Sequence, residues 1–406
     1  MEKGKLRVAQ EPPPSFMHES DRQTPGDAPF VPGTFERLAT DGGARRGRLW
    51  TAHGPVETPA FMPVGTQATV KTLEPRDLEE LGVQIILGNT YHLLVRPGPE
   101  ILDACGGLHA FMGWTHPILT DSGGYQVFSL AKLRKLSREG VAFNSHVDGA
   151  RLFLGPAEAM AMQRVLGSDI AMCFDECIPW PSDAQYACQA VERTLLWADS
   201  CRHQERAPGQ LVFGIVQGGE FAELRGRCAR GLVDIGFDGY AVGGVSVGEP
   251  EPLLLQEIEE SVRHLPEERP RYVMGLGDFW QMTEAVARGA DLFDCVIPTR
   301  HARNGSAFTR NGAYPVKAGE YKRDLRPVEE GCRCPVCRTF TRAYIRHLLN
   351  VDEILGVRLL TVHNLHCYMD TMRRMRGAIE AGAFQEWRRE QAARLRSNTV
   401  GKTPEG

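Results

Sequence analysis

The sequence predicts an α/β fold, a (β/α)8 barrel followed by a zinc-binding subdomain, from three observations. Eight short β-prone apolar runs recur between residues 58 and 296. Segments of helical periodicity separate most of them, and the runs close on or beside glycine or a polar side chain. Beyond the last run, Cys332-Arg-Cys334-Pro-Val-Cys337 gathers three thiols within six residues. Near-continuous apolar strands alternating with helices imply a parallel sheet buried on both faces. Eight such units fit a barrel, which usually takes about 250 residues. A doubly wound open sheet would need a glycine-rich phosphate turn after the first strand, and none is present.

The runs are 58–66 (TPAFMPVGT), 83–89 (VQIILGN), 117–121 (PILTD), 169–175 (DIAMCFD), 211–217 (LVFGIVQ), 239–244 (GYAVGG), 271–275 (RYVMG) and 291–296 (DLFDCV). Helical spacing of apolar residues is clearest over Pro156–Leu166, Ala184–Arg202 and 252–264. The expected organisation is a leader at 1–33, a barrel at 34–300, a zinc-binding subdomain at 301–370, and a C-terminal helix and tail at 371–406. The leader carries Pro12-Pro13-Pro14 and almost no periodic apolar residues, so it is expected to be disordered. No apolar run approaches the roughly 20 residues of a membrane span. The N-terminus lacks the apolar stretch of a secretory signal. Eleven cysteines, an odd number and mostly scattered, point to reduced thiols and a cytoplasmic protein.

Strand C-terminal ends carry the chemistry of such barrels. That rule gathers Asp121, Asp175, Gln217, Gly244, Met274 and Asp294. One strand-end aspartate more often caps the next helix, but three carboxylates and an amide on one face point to a reactive cavity. In Asp121-Ser122-Gly123-Gly124-Tyr125 the glycines allow close backbone approach to a flat ligand, and Tyr125 offers a stacking face. Asp175 suits the N–H groups of a guanine-like edge, and Gln217 can donate and accept, although the same set could bind a sugar. Two carboxylates at one anomeric carbon suggest double displacement.

Zinc needs four ligands in tetrahedral array, and a CxCxxC turn supplies three. His347, His363, His366 and Cys367 all lie downstream, and spacing alone does not choose the fourth. A closed site of this kind stabilises a fold and performs no chemistry. The net charge is −4, yet residues 300–346 hold eleven Lys and Arg against four acids. That local excess is the footprint of a polyanion site.

Taken together these residues resemble the tRNA-guanine transglycosylase family of bacterial type, over about residues 34–385. The motifs are GNTYHL at 88–93, DSGGYQ at 121–126, GIVQGG at 214–219, AVGG at 241–244, VMGLG at 273–277, FDCV at 293–296 leading to Pro298-Thr299-Arg300, and CxCxxC. The resemblance implies exchange of guanine at the wobble position of tRNAs with a GUN anticodon for preQ1, a 7-aminomethyl-7-deazaguanine. It implies Asp294 as nucleophile and Asp121 as general acid/base. Ser122, Gly123, Gly124, Asp175, Gln217 and Gly244 would line or bind the base, Tyr125 and Met274 would sandwich it, and the Val245 carbonyl would take the aminomethyl group. RNA contacts would come from Gly275, Leu276, Gly277, Asp278, Phe279, Trp280 and Gln281, and from Thr299, Arg300, His301, Ala302 and Arg303. It also implies His363 as fourth ligand of one structural zinc beside Cys332, Cys334 and Cys337, and a homodimer. Cys177 and Val247 match the pattern of preQ1-inserting relatives, not of those that take the bulkier queuine. The alternatives are a queuine-inserting enzyme and a non-catalytic, zinc-containing tRNA-binding relative. The second would have lost a carboxylate, whereas Asp121 and Asp294 are both present.

Overall fold

The computed structural model describes residues 31–130 and 134–400. The expected disordered leader therefore lies, but for residues 31–33, outside the described residues. The chain opens with three antiparallel strands, β1 (Phe35–Asp41), β2 (Ala44–Thr51) and β3 (Gly54–Thr58). It then enters the barrel through β4 (Ala60–Gly65), β5 (Ile86–Gly88) and β6 (Ile118–Thr120). An antiparallel excursion follows: β7 (Arg134–Leu136), β8 (Val141–Asn144) and β9 (Arg151–Leu154). The barrel resumes with β10 (Ile170–Met172), β11 (Leu211–Val216), β12 (Gly239–Val242), β13 (Arg271–Val273) and β14 (Leu292–Cys295).

These eight strands pair in parallel and close, with β14 against β4 through Asp294 opposite Met62. Every predicted run contains its strand. Consecutive residues part to opposite faces, as the two-residue period demands. Met62, Leu87, Leu119 and Tyr272 pack in one buried group, and Phe61, Ile86, Ile118 and Phe293 in another.

Local sequence explains the helix ends. Pro156 opens Pro156–Leu166, Glu158 accepts the Gly155 N–H at 3.1 Å, and Gly167 at φ +64° ends it. Asp183 caps Ala184–Arg202 by accepting the Tyr186 N–H at 2.9 Å. After β14, the helix Ile297–Arg303 and the hairpin β15 (Ser306–Thr309) and β16 (Gly312–Pro315) lead to the cysteine turn. The long helix Ile354–Glu380 returns from that turn and packs on Ile297–Arg303, β15 and β4.

Candidate active site and zinc centre

Asp121 follows β6 with 7% of its surface exposed. It does not cap the following helix. One carboxylate oxygen accepts the Thr90 backbone N–H at 2.8 Å. The other accepts the Gln126 amide at 2.8 Å and the Asn89 amide. Burial pushes Asp121 up to about 6 despite these donors, and the charge of Asp294 adds to the rise. A carboxyl tuned near neutrality can both give and take a proton.

Asp294, partly exposed on β14, accepts the Tyr272 hydroxyl at 2.5 Å and the Gly275 N–H at 2.7 Å on one oxygen. Desolvation raises its pKa while those two donors lower it. Tyr272 is itself raised well above the ordinary phenol value by desolvation and the Asp294 charge. It therefore remains a donor at neutral pH.

Asp175, beyond β10, is bonded by the Gln217 amide at 2.8 Å and the Ser122 hydroxyl at 3.1 Å. Burial raises it to about 6 against these two bonds. The Gln217 carbonyl oxygen is buried without a partner, which leaves an acceptor available. A Cβ at Gly244 would lie 2.5 Å from that oxygen, and one at Gly124 would lie 2.8 Å from the Asp175 carbonyl. Gly244 also has φ +59°, so a side chain is excluded there both by space and by backbone conformation. Met274 is partly exposed beside the mouth, and Tyr125 is 55% exposed.

The structure thus gathers Ser122, Asp175 and Gln217 by direct bonds, and brings Asp294 close enough for its charge to help raise Asp121. Several predicted RNA-contact positions are otherwise engaged. Leu276 and Ala302 are fully buried, and Thr299 is buried too. Gly277 is packed so closely that a Cβ would lie 2.5 Å from that of Cys295. Asp278 caps the helix Phe279–Ala287, accepting from Trp280 N at 2.8 Å and Gln281 N at 3.0 Å. Arg300 is exposed, while His301 and Arg303 are partly so.

Asn89, Thr90, Gln126 and Tyr272 were absent from the predicted site. Asn89, the polar end of the run 83–89, and Tyr272, which shares a strand face with Met274, had readable signals. Arg225, fully buried behind the strand ends, had none.

Cys332, Cys334, Cys337 and His363 offer four ligand atoms within 4.8 Å of one another. The three sulfurs lie 3.9, 3.5 and 3.3 Å from His363 Nδ1. Such spacings fit the edges of a tetrahedron around zinc with metal–ligand bonds of about 2.0–2.3 Å. The far nitrogen, Nε2, lies 2.7 Å from the Phe308 carbonyl. A proton on Nε2 leaves the Nδ1 lone pair directed at the thiols, the usual outer support of a zinc-binding histidine. Cys367 lies on the opposite side of the ring, 3.7 Å from Nε2, and does not join the four. The donor set and this support fit a structural zinc.

His53, His109 and Asp169 also cluster, at the opposite end of the barrel. Their imidazoles stack 3.7 Å apart at 18°, so their in-plane lone pairs do not converge on one ion. Asp169 instead ties His53 at 2.9 Å, His109 at 3.2 Å and the Ile118 N–H at 2.9 Å.

The family described as queuine tRNA-ribosyltransferase matches residues 40–397. The chain belongs to this family. It is 56% identical over 346 residues to the queuine tRNA-ribosyltransferase of Pelotomaculum thermopropionicum, covering 85% of this chain and 94% of that protein. The namesake from Moorella thermoacetica is 54% identical over 358 residues, covering 88% and 96%. That from Thioalkalivibrio sulfidiphilus is 51% identical over 370 residues, covering 91% and all of its own length. Among the described residues no helix is long and apolar enough to cross a membrane.

Proposed function

We propose that this family member exchanges guanine at the wobble position of GUN-anticodon tRNAs (Asp, Asn, His, Tyr) for preQ1, within queuosine biosynthesis. The observation that carries the reading is the pair Asp121 and Asp294. The first is buried, tuned to about 6 and influenced by the charge of the second, which reaches the barrel mouth on two donors. Asp294 attacks ribose C1′ as the C1′–N9 bond breaks, and the electron pair leaves with guanine. Asp121 delivers a proton to the departing base. It then takes one from incoming preQ1, whose nitrogen attacks C1′ and displaces Asp294.

Asp175, Gln217, Ser122 and the Gly244 backbone hold the base edge, Tyr125 and Met274 its faces, and the Val245 carbonyl its aminomethyl group. Glycines 123 and 124 keep the wall close to the base. RNA is held through the 275–281 and 299–303 segments. At Leu276, Gly277, Thr299 and Ala302 the contact would be made by backbone, since their side chains are committed to packing. One zinc per chain, held by Cys332, Cys334, Cys337 and His363, braces the lobe that presents cations to phosphates. The enzyme acts in the cytoplasm as a homodimer.

The test is incorporation of labelled guanine into tRNA-Tyr, competed by preQ1 and by queuine. Exchange inhibited by preQ1 and indifferent to queuine is expected. No exchange contradicts the reading, and preference for queuine would reassign the incoming base.

A further inference from the structure

We propose that Arg225 is a positioning residue for the base, because its one guanidinium fixes the backbone of two of the loops that read it. The proposal rests on the base-pocket reading above. Arg225 lies in the helix Ala222–Ile235 with no exposed surface. A guanidinium has five N–H donors in a fixed plane, and partners surround this one. Its Nε donates to the Gly219 carbonyl at 2.7 Å. One terminal nitrogen donates to the Gly243 carbonyl at 3.1 Å and the Ser261 hydroxyl at 3.3 Å. The other donates to the Gly244 carbonyl at 3.0 Å and lies 3.4 Å from the Glu257 carboxylate.

Gly219 follows β11, and Gly243 and Gly244 follow β12, so the side chain bolts one strand-end loop to the next. A trans peptide directs its N–H opposite to its C=O. With the Gly243 and Gly244 carbonyls drawn to Arg225, the N–H groups of Gly244 and Val245 point away from the guanidinium. Neither glycine tolerates a Cβ, which would meet the Gln217 amide at 2.7 Å and 2.5 Å. Gln217 is in turn bonded to Asp175. Arg225 thereby sets the donors of one loop in register with the Gln217 and Asp175 groups of the others, and touches no base itself. Lysine keeps the charge but has no planar fork to span three carbonyls.

The experiment compares wild type, Arg225→Lys and Asp175→Asn in tRNA exchange assays, with thermal unfolding recorded for each. For a folded Arg225→Lys enzyme we expect the guanine KM to rise about tenfold while the tRNA KM stays within about twofold. A merely structural role would change stability and leave that split flat. An unchanged guanine KM in folded Arg225→Lys, with a raised one in Asp175→Asn, overturns the positioning role alone. An unchanged KM in Asp175→Asn overturns the pocket reading and this proposal with it. If Arg225→Lys does not fold, Glu257→Gln removes the buried counter-charge at constant shape. A guanine KM raised about threefold is then expected, and an unchanged one overturns the proposal.

Discussion

A carboxylate accepts N–H groups from a base on both oxygens only when ionised, since protonation turns one oxygen into a donor. Asp175 carries a pKa raised to about 6 by burial, so its protonated fraction grows as the pH falls through that value. The guanine KM should be flat above about pH 7 and rise toward tenfold per pH unit below 6. Asp175→Asn should be poor throughout and lose this dependence, whereas a wild-type KM constant from about pH 5 to 8 would remove Asp175 from base binding. Gly244→Ala gives a second expectation. Its Cβ must displace Gln217 and occupy a left-handed backbone costing roughly 1–2 kcal/mol. Lower thermal stability and a raised guanine KM should appear together, and an unaffected KM would mean that Gln217 is not in contact with the base. Asp121, Asp175, Gln217 and Asp294 were legible because strand parity and the strand-end rule act on single residues. The service of Asn89 and Thr90 to Asp121 was not. They reach Asp121 from a neighbouring strand end more than thirty positions away, and no spacing in the sequence encodes that meeting.

The zinc turn and the helix Ile354–Glu380 are joined by His363, which is fully buried against Phe308 of β15. Cys334→Ala should abolish zinc binding, measured as metal content per chain, and lower the thermal stability of the C-terminal lobe. Full occupancy in that variant would refute the ligand set. At the other barrel end, Asp169→Asn removes the shared acceptor of two histidines and a strand N–H. It should cost about 1–3 kcal/mol, the penalty of leaving a buried donor unsatisfied. Hydrogen bonds from His109 and His53, opposing its burial, hold Asp169 well below the usual carboxylate range. Its contribution is therefore present above the ordinary carboxylate value and lost as pH falls through the folded one. The bond to Asp169 raises His53, so that contribution is present at acid pH and lost as pH rises through the raised value. Thermal unfolding across pH should show the acid-side loss disappear in Asp169→Asn, and an unaltered profile would contradict the assignment. Pro156–Leu166 and Ala184–Arg202, with proline, glycine or aspartate at their ends, were readable to the residue, whereas the helix expected at 252–264 runs Glu251–Val262. The N-terminal sheet was not, because β2 buries Arg45 and Arg46 in pairs with Asp291 and with Glu57 and Glu380. Buried arginines break the apolar alternation by which a strand is recognised.

A protein of net charge −4 that holds RNA must do so through local fields. Within the basic block, Arg342 is committed internally: it lies over the Tyr314 and Tyr321 rings and pairs with Asp324 at 3.0 Å. Arg346 donates to the Ala318 carbonyl. Arg326 pairs with Asp324 at 2.7 Å and Arg310 lies 3.9 Å from Asp370, while Arg300, Lys317, Lys322, Arg323, Arg333 and Arg338 are exposed, and these six are the cations most available to phosphates. Replacing Lys322 and Arg323 by alanine should weaken tRNA binding and reduce the slope of log affinity against log salt by up to about two. The guanine KM should not change. An unaltered salt slope would place the RNA path elsewhere. Composition alone concealed this division, since a sum over residues does not distinguish an exposed arginine from one packed over two tyrosines. The central claim is that Asp294 carries the ribose. Incubating wild type and Asp294→Asn with tRNA, then resolving them under denaturing conditions, tests it directly. A denaturation-resistant protein–RNA complex is expected with wild type and none with Asp294→Asn, while an undiminished complex in the variant would contradict the account.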